Sequence, residues 1–104
     1  MNIYDNPEKF GCYIVGEVDA GGGYEHDKFV VWKNDQNKKG FGWGTSSGCS
    51  CNSPFYDDGI TDLEWSRAQT CHKALDVWAK AKLEFYAERI EAEVADLHNK
   101  IAKA

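Results

Sequence analysis

Cysteine and histidine are the residue types that most often bind zinc, and three of the four cysteines and one of the three histidines lie in two short segments. Cys49 and Cys51 lie in the segment Gly48-Cys-Ser-Cys-Asn-Ser-Pro-Phe55, and Cys71 is followed directly by His72. In an extended segment, side chains two residues apart project to the same side, so both thiolates could face one ion. Because thiolate and imidazole are preferred zinc ligands, Cys49, Cys51, Cys71 and His72 form a candidate metal site.

Two features of this set count against a site with four ligands. The single residue between Cys49 and Cys51 is less usual than the spacing of roughly two to four residues found in zinc sites. On a helix, the side chains of Cys71 and His72 would point about 100° apart, and such neighbours rarely share an ion. The alternative is that Cys71 is a small buried residue and His72 a solvated one.

The cysteine segment also lacks the surroundings of a reactive thiol. No basic residue that would lower a thiol pKa lies between Lys39 and Arg67, and Asp57 and Asp58 would raise it. The three histidines fall in a predicted turn and on two separate stretches of predicted helix, with no nucleophile paired to them. We therefore expect a protein that is not an enzyme and has no cofactor, with zinc as the alternative.

A long loop next to an aromatic side chain is the candidate binding surface. Residues 45–59 are rich in Ser, Gly and Asn, and loops of this length are often functional. Trp43 stands between two glycines that leave its ring unshielded, which suits an anchor for a partner; the alternative is that it closes the core beneath a helix. The predicted binding residues are Trp43, Ser47, Cys49, Ser50, Cys51, Phe55 and Tyr56.

Three runs of apolar, β-branched and aromatic residues predict strands. In residues 10–18, Phe10, Cys12, Ile14 and Val18 stand at even spacing, which is the period of a strand with one buried face. Residues 28–33 and 41–44 follow glycine-rich or polar connectors of the composition found in turns. We expect a three-stranded antiparallel meander.

The rest of the chain has the composition of a helix. From Thr61 onward Gly and Pro are absent, and Thr61 with Glu64 fits a capping box that predicts a helix beginning at Thr61. A straight helix of this length would span roughly 60 Å, too long for three strands to cover. We expect either a break near residues 68–71, which gives two helices, or packing of the far end on a partner chain. The predicted fold class is α+β.

Apolar residues recur along the second part of this helix at alternating spacings of four and three. They are Leu83, Ala87, Ile90, Val94, Leu97 and Ile101. This is the pattern of a coiled-coil seam, and the predicted sheet has too little area to cover it. We expect a homo-oligomer assembled through these residues, with burial inside the monomer as the alternative.

Length and charge limit the class of protein. The 104 residues predict one domain, 1–104, with a β-rich part at 1–60 and a helical part at 61–104. The net charge is −5, and residues 1–65 carry five Lys against eleven Asp and Glu, a net of −6, which argues against direct nucleic-acid binding. No run approaches the roughly 18 apolar residues of a membrane span, and the polar start predicts a cytoplasmic protein with no secretion signal.

Four segments resemble a group of small accessory proteins from phages of actinobacteria. They are Asn6-Pro-Glu-Lys-Phe-Gly11, Ile14-Val-Gly-Glu-Val-Asp19, Val30-Val-Trp-Lys33 and Ser47-Gly-Cys-Ser-Cys-Asn-Ser-Pro-Phe55, which cover most of residues 6–55. The last is the most distinctive, and it departs from the group at Asn52, where Pro is often found. The resemblance implies a phage protein in the cytoplasm of the infected bacterial host, and it assigns no activity and no catalytic residue. The chain after Asp62 lies outside it, so Cys71 and His72 inherit no role.

These observations predict a non-enzymatic binding module that acts on a host protein or on a small nucleotide-type ligand, in host takeover or counter-defence. Two alternatives remain open. One is a small protein with a structural zinc ion. The other is an acidic mimic of nucleic acid, whose negative N-terminal half would occupy a DNA-binding protein of the host.

Overall fold

Four antiparallel strands followed by two packed helical stretches form the fold, as seen in a computed structural model. The structure describes residues 2–21, 25–34, 40–49, 54–56 and 58–104, without the side chains of residue 49 and residues 83–89. A short 3₁₀ helix, Pro7–Phe10, comes first. The strands are β1 (Cys12–Asp19), β2 (Glu25–Asn34), β3 (Phe41–Cys49) and β4 (Glu64–Ser66), and the helical segment α1 is Ala68–Lys103. The predicted α+β class is confirmed.

The sheet is a meander in which each strand pairs with the next along the chain, in the order β1-β2-β3-β4. The first three strands correspond to the three predicted ones, but β3 continues to Cys49, into the segment predicted as loop. The fourth strand was not predicted. It pairs with the start of β3, with Gly42 opposite Trp65 and Trp43 opposite Glu64.

The helix begins seven residues later than Thr61, at Ala68, so the predicted capping box is wrong. A 3₁₀ turn, Ile60–Asp62, occupies the expected start, and the Asp62 carboxylate accepts the Gly59 N–H at 2.8 Å. The Trp65 indole N–H donates to the Ile60 carbonyl at 2.8 Å. Its ring fills the space beside Gly42, where an added Cβ would come within 2.8 Å of the indole. This packing holds residues 64–66 in the sheet, so the helix begins only after them.

The helical segment turns back on itself, and residues 68–71, where a break was predicted, are helical. The rings of His72 and His98 stack with centroids 4.9 Å apart, whereas 26 residues of straight helix would separate them by roughly 39 Å. The longest dimension of the molecule is 37 Å, against about 54 Å for 36 residues of straight helix. Residues 68–82 and 90–103 therefore lie side by side as an antiparallel pair.

Each face of the sheet has its own core. The helix pair covers one face of the sheet. The core between them contains Val18, Ala20, Phe29, Val31, Phe41, Cys71, Leu75, Ile90, Leu97 and Ile101. The N-terminal segment and the chain before β4 cover the other face, with Ile3, Cys12, Val30, Trp32, Phe55 and Leu63 buried. Alternation along β2 supplies both sets, with Phe29 and Val31 on one face and Val30 and Trp32 on the other. In β1 the register shifts between Ile14 and Gly16, so Cys12 and Val18 lie in different cores, and the predicted single buried face of this strand is wrong.

The predicted coiled-coil seam packs against the sheet of its own chain. Ile90, Leu97 and Ile101 are no more than 1% exposed in the single chain, and Val94 packs against the same core. The side chains of Leu83 and Ala87 lie outside the described part of the structure. The expectation that these residues would be exposed without a partner chain is therefore wrong, because the reversal of α1 returns them to the sheet. A homo-oligomer stays a prediction, but exposure of the seam in the single chain no longer supports it.

Candidate functional site

A groove of about 730 Å³ runs between β3 and the first half of α1. The helix pair packs mainly over β1, at one edge of the sheet, and makes fewer contacts with β2 and β3. The part of the same face near β3 and β4 is therefore left partly uncovered. The groove is lined by Phe29, Trp43, Gly44, Thr45, Asp62, Glu64, Thr70, Lys73, Ala74, Val77 and Trp78.

The floor of the groove is aromatic. Trp43 lies opposite Val31 in the sheet, on the face that the helices cover, and its side chain is half-buried. The ring of Phe29 contacts that of Trp78 at 5.6 Å between centroids. Val77, from the turn of helix that carries Trp78, is 70% exposed at the side of the groove. These side chains offer apolar surface to a ligand that enters from the open side.

The charged groups of the groove stand on two different walls. Asp62 and Glu64 come from the chain around β4, and Lys73 comes from α1. All three residues are exposed, and Asp62 keeps its bond to the Gly59 N–H. Acid and base therefore flank an apolar floor.

The structure separates the predicted binding residues. Trp43 lines the groove, and Ser47 is exposed further along β3. Phe55 is 3% exposed on the opposite face of the sheet, where its ring meets Trp32 at 5.1 Å and Tyr4 at 5.7 Å. Phe55 thus belongs to a core and does not lie beside Trp43. Its φ of 58° is in the left-handed region, which a buried phenyl ring can hold against the strain.

The other members of the predicted loop do not reach the groove either, so far as the structure describes them. Tyr56 is 68% exposed, and it is not among the groove residues. The side chain of Cys49 and the whole of Ser50 and Cys51 lie outside the described residues. Ser46, next to Ser47, accepts the Phe55 N–H at 3.2 Å, which ties the chain after the loop to β3.

The predicted metal ligands on α1 point in different directions. Cys71 is fully buried in the core beneath the helices, and burial raises the pKa of its thiol to about 12. His72 faces the second half of α1, where it contacts His98. Within the described ranges, no three side chains of His, Cys, Asp or Glu are grouped so that they could hold a metal ion. Zinc binding by Cys49 and Cys51 falls outside those ranges and stays a prediction.

A histidine pair, which the sequence did not predict, joins the two halves of α1. The Nδ1 atoms of His72 and His98 are 2.6 Å apart, and His98 Nε2 lies 2.7 Å from an Asp76 carboxylate oxygen. Burial lowers the pKa of His72, and the charge of a protonated His98 lowers it further. The negative charge of Asp76 raises the pKa of His72 and offsets part of this effect. Two protonated rings would bring two N–H groups together, so this contact requires at least one neutral imidazole. The spacing of His72 and Asp76, one turn apart, was visible in the sequence, but their approach to His98 depends on the reversal.

Among the described residues, no helix is long and apolar enough to cross a membrane.

No match was found among curated proteins, and none was found among solved structures. A family model described as a domain of unknown function, DUF7574, matches residues 1–104. The chain therefore belongs to the DUF7574 family.

Proposed function

We propose that this protein is a non-enzymatic binding module and that the groove between β3 and the first half of α1 is its binding site. The observation that carries the proposal is the uncovered part of the sheet face, where Trp43, Trp78 and the exposed Val77 surround about 730 Å³. Ligand sites are concave, mostly apolar and of roughly 300–1,000 Å³, with a few polar groups that orient the ligand. The groove has each of these properties.

The polar groups of the groove suit binding better than catalysis. The lining offers two carboxylates, one ammonium group and the hydroxyls of Thr45 and Thr70. A nucleophile would need a base within hydrogen-bond distance, and the lining contains no histidine. His72 lies in a neighbouring hollow with Gln69 and Asp76, which shares Thr70 and Lys73 with the groove. The side chains around Trp43 can hold a ligand, and their chemistry does not point to a reaction.

The resemblance to accessory proteins of actinobacterial phages supports a biological setting for this site. The segment Ser47-Gly-Cys-Ser-Cys-Asn-Ser-Pro-Phe55 carries most of that resemblance. On this basis the module acts in the cytoplasm of an infected bacterium, on a host protein or a small ligand. The acidic net charge of −5 favours a partner with a basic surface.

A fluorescent probe of apolar surface tests whether the groove binds ligands. Nile red, a neutral apolar dye, is titrated into the wild-type protein and into Val77→Asp and Thr70→Arg, two exposed positions at the groove. We expect one dye per chain in the wild type and at least about tenfold weaker binding in both variants, because the changes place a charge beside the apolar floor. Their Tm values should stay close to the wild-type value, since exposed positions contribute little to stability.

Tyr13→Ser is the matched control. Tyr13 is 41% exposed on β1 and lies outside the groove, so its loss removes exposed apolar surface elsewhere. Dye binding should be unchanged in this variant. If Val77→Asp and Thr70→Arg bind Nile red as well as the wild type does, the groove is not the binding site.

A further inference from the structure

We propose that the groove takes a short segment of a partner protein in which a large apolar side chain stands next to Lys or Arg, rather than a nucleotide. This inference rests on the proposed function, and it names the chemistry of the ligand. It depends on the shape of the groove, on the sign of its charge and on the positions of its charged groups.

The shape suits a side chain that inserts from an exposed segment. The floor is built by Phe29, Trp43 and Trp78, with Ala74 and Val77 on the helix side. The groove is an open trough between a strand and a helix rather than an enclosed cavity. A partner segment could lie along it and place one large side chain against the tryptophan rings, as the central anchors of protein interfaces do.

The charge of the lining favours a cation over a phosphate. Asp62 and Glu64 contribute two negative charges, and Lys73 contributes one positive charge. The first turn of α1, which includes Thr70, adds the partial positive charge of a helix N-terminus, about half a unit. The total remains negative, so a phosphate group would meet net repulsion and an ammonium or guanidinium group net attraction.

The placement of the charges gives the segment a direction. Both carboxylates stand on the wall next to β4, and Lys73 stands on the wall formed by α1. A basic side chain of the partner would lie towards Asp62 and Glu64. Its backbone carbonyl groups could accept from Lys73 on the other wall. A peptide carries both kinds of group within a few residues.

A subtractive selection from a random heptapeptide library tests the inference. Peptides that bind the immobilised wild-type protein are kept, and those that also bind Val77→Asp are removed. Because Val77→Asp adds negative charge, peptides that bind only through general attraction to an acidic protein are discarded. We expect the remaining peptides to combine Trp, Phe, Leu or Met with an adjacent Lys or Arg.

Two charge variants then test the role of the carboxylates, with one selected peptide as the probe. Glu64→Gln should weaken its binding about two- to fivefold, the effect expected for an exposed ion pair. Glu91→Gln is the matched control, because it removes the same charge from an exposed position of α1 outside the groove, and it should bind the peptide as the wild type does. Unchanged binding to Glu64→Gln, or equal weakening in both variants, would overturn the inference.

The other outcomes separate this inference from the proposed function. Groove-dependent peptides that lack Lys and Arg would overturn the inference and leave the binding module standing. Failure to recover any peptide that distinguishes the wild type from Val77→Asp would overturn the inference, and unchanged Nile red binding in the variants would in addition overturn the proposed function. In a separate titration with adenosine monophosphate, a shift of the Trp43 indole N–H resonance at submillimolar concentration would point to a nucleotide and overturn the inference.

Discussion

Replacement of Ile90 by alanine distinguishes burial of the helical seam within one chain from burial between chains. Ile90 is completely buried in the core between α1 and the sheet. Removing a buried isoleucine side chain down to Cβ costs about 2–5 kcal/mol, through lost transfer free energy and the cavity left behind. For a domain of this size 1 kcal/mol corresponds to about 4–8 °C in Tm, so we expect Ile90→Ala to lower Tm by about 10 °C or more.

The assay is thermal unfolding followed by circular dichroism at two protein concentrations a hundredfold apart. If the seam packs on the sheet of its own chain, the Tm of the wild type and of Ile90→Ala should not change with concentration. Val77→Ala, in the same helical segment but 70% exposed, is the matched control and should change the free energy of unfolding by less than about 0.5 kcal/mol.

Two results would refute the reasoning for Ile90. An Ile90→Ala variant with the Tm of the wild type would show that the side chain is not packed in a core. A wild-type Tm that rises with concentration, together with a mass in light scattering above the 11.7 kDa of one chain, would show that assembly contributes to the stability of the fold.

Three further predictions concern protonation, packing and metal. The pKa of His72 is lowered in the fold, so the unfolded chain binds more protons than the folded chain below about pH 6.5. The denaturant midpoint should therefore decrease when the pH is lowered from about 7.5 to about 5.5, and it should decrease less in His72→Gln. An equal decrease in both proteins would contradict this. Gly42→Ala would bring a Cβ within 2.8 Å of the Trp65 ring and should cost about 1–3 kcal/mol in a urea titration, whereas an unchanged midpoint would show that the indole can move. If Cys49 and Cys51 bind zinc, elemental analysis should find about one metal per chain or per dimer and a chelator should lower Tm; metal-free protein with the same Tm in chelator would remove the zinc hypothesis.

The limits of sequence patterns are clearest around β4. Thr61 and Glu64 have the spacing of a capping box, so the pattern predicted a helix there. A strand of three residues carries too little periodicity to compete with that signal. What decides the outcome is the fit of the Trp65 ring against Gly42, two residues that are far apart along the chain. The same fit explains the glycine at position 42, because a Cβ there would meet the indole ring.

The candidate site shows the same division. The glycines on either side of Trp43 drew attention to its ring, and that ring does line the groove. Phe55 was grouped with it because the two are close along the chain and both are aromatic. The structure places the two rings on opposite faces of the sheet, so their closeness along the chain did not mean that they lie together in the fold.

The sequence by itself determined where the first three strands and the helical region lie, but not which residues of β1 share a face, because the register shift between Ile14 and Gly16 separates Cys12 from Val18. Alternation predicted the first three strands, composition predicted the helical end of the chain, and the heptad spacing identified Ile90, Leu97 and Ile101 as one buried stripe. Only the tertiary structure decided what each face meets. Burial of apolar surface is not directional, so a stripe is equally satisfied by a sheet of its own chain or by a second helix. Because α1 turns back on itself, the stripe packs on the sheet of its own chain, and His72 contacts His98. The groove beside Trp43 stays open in this arrangement.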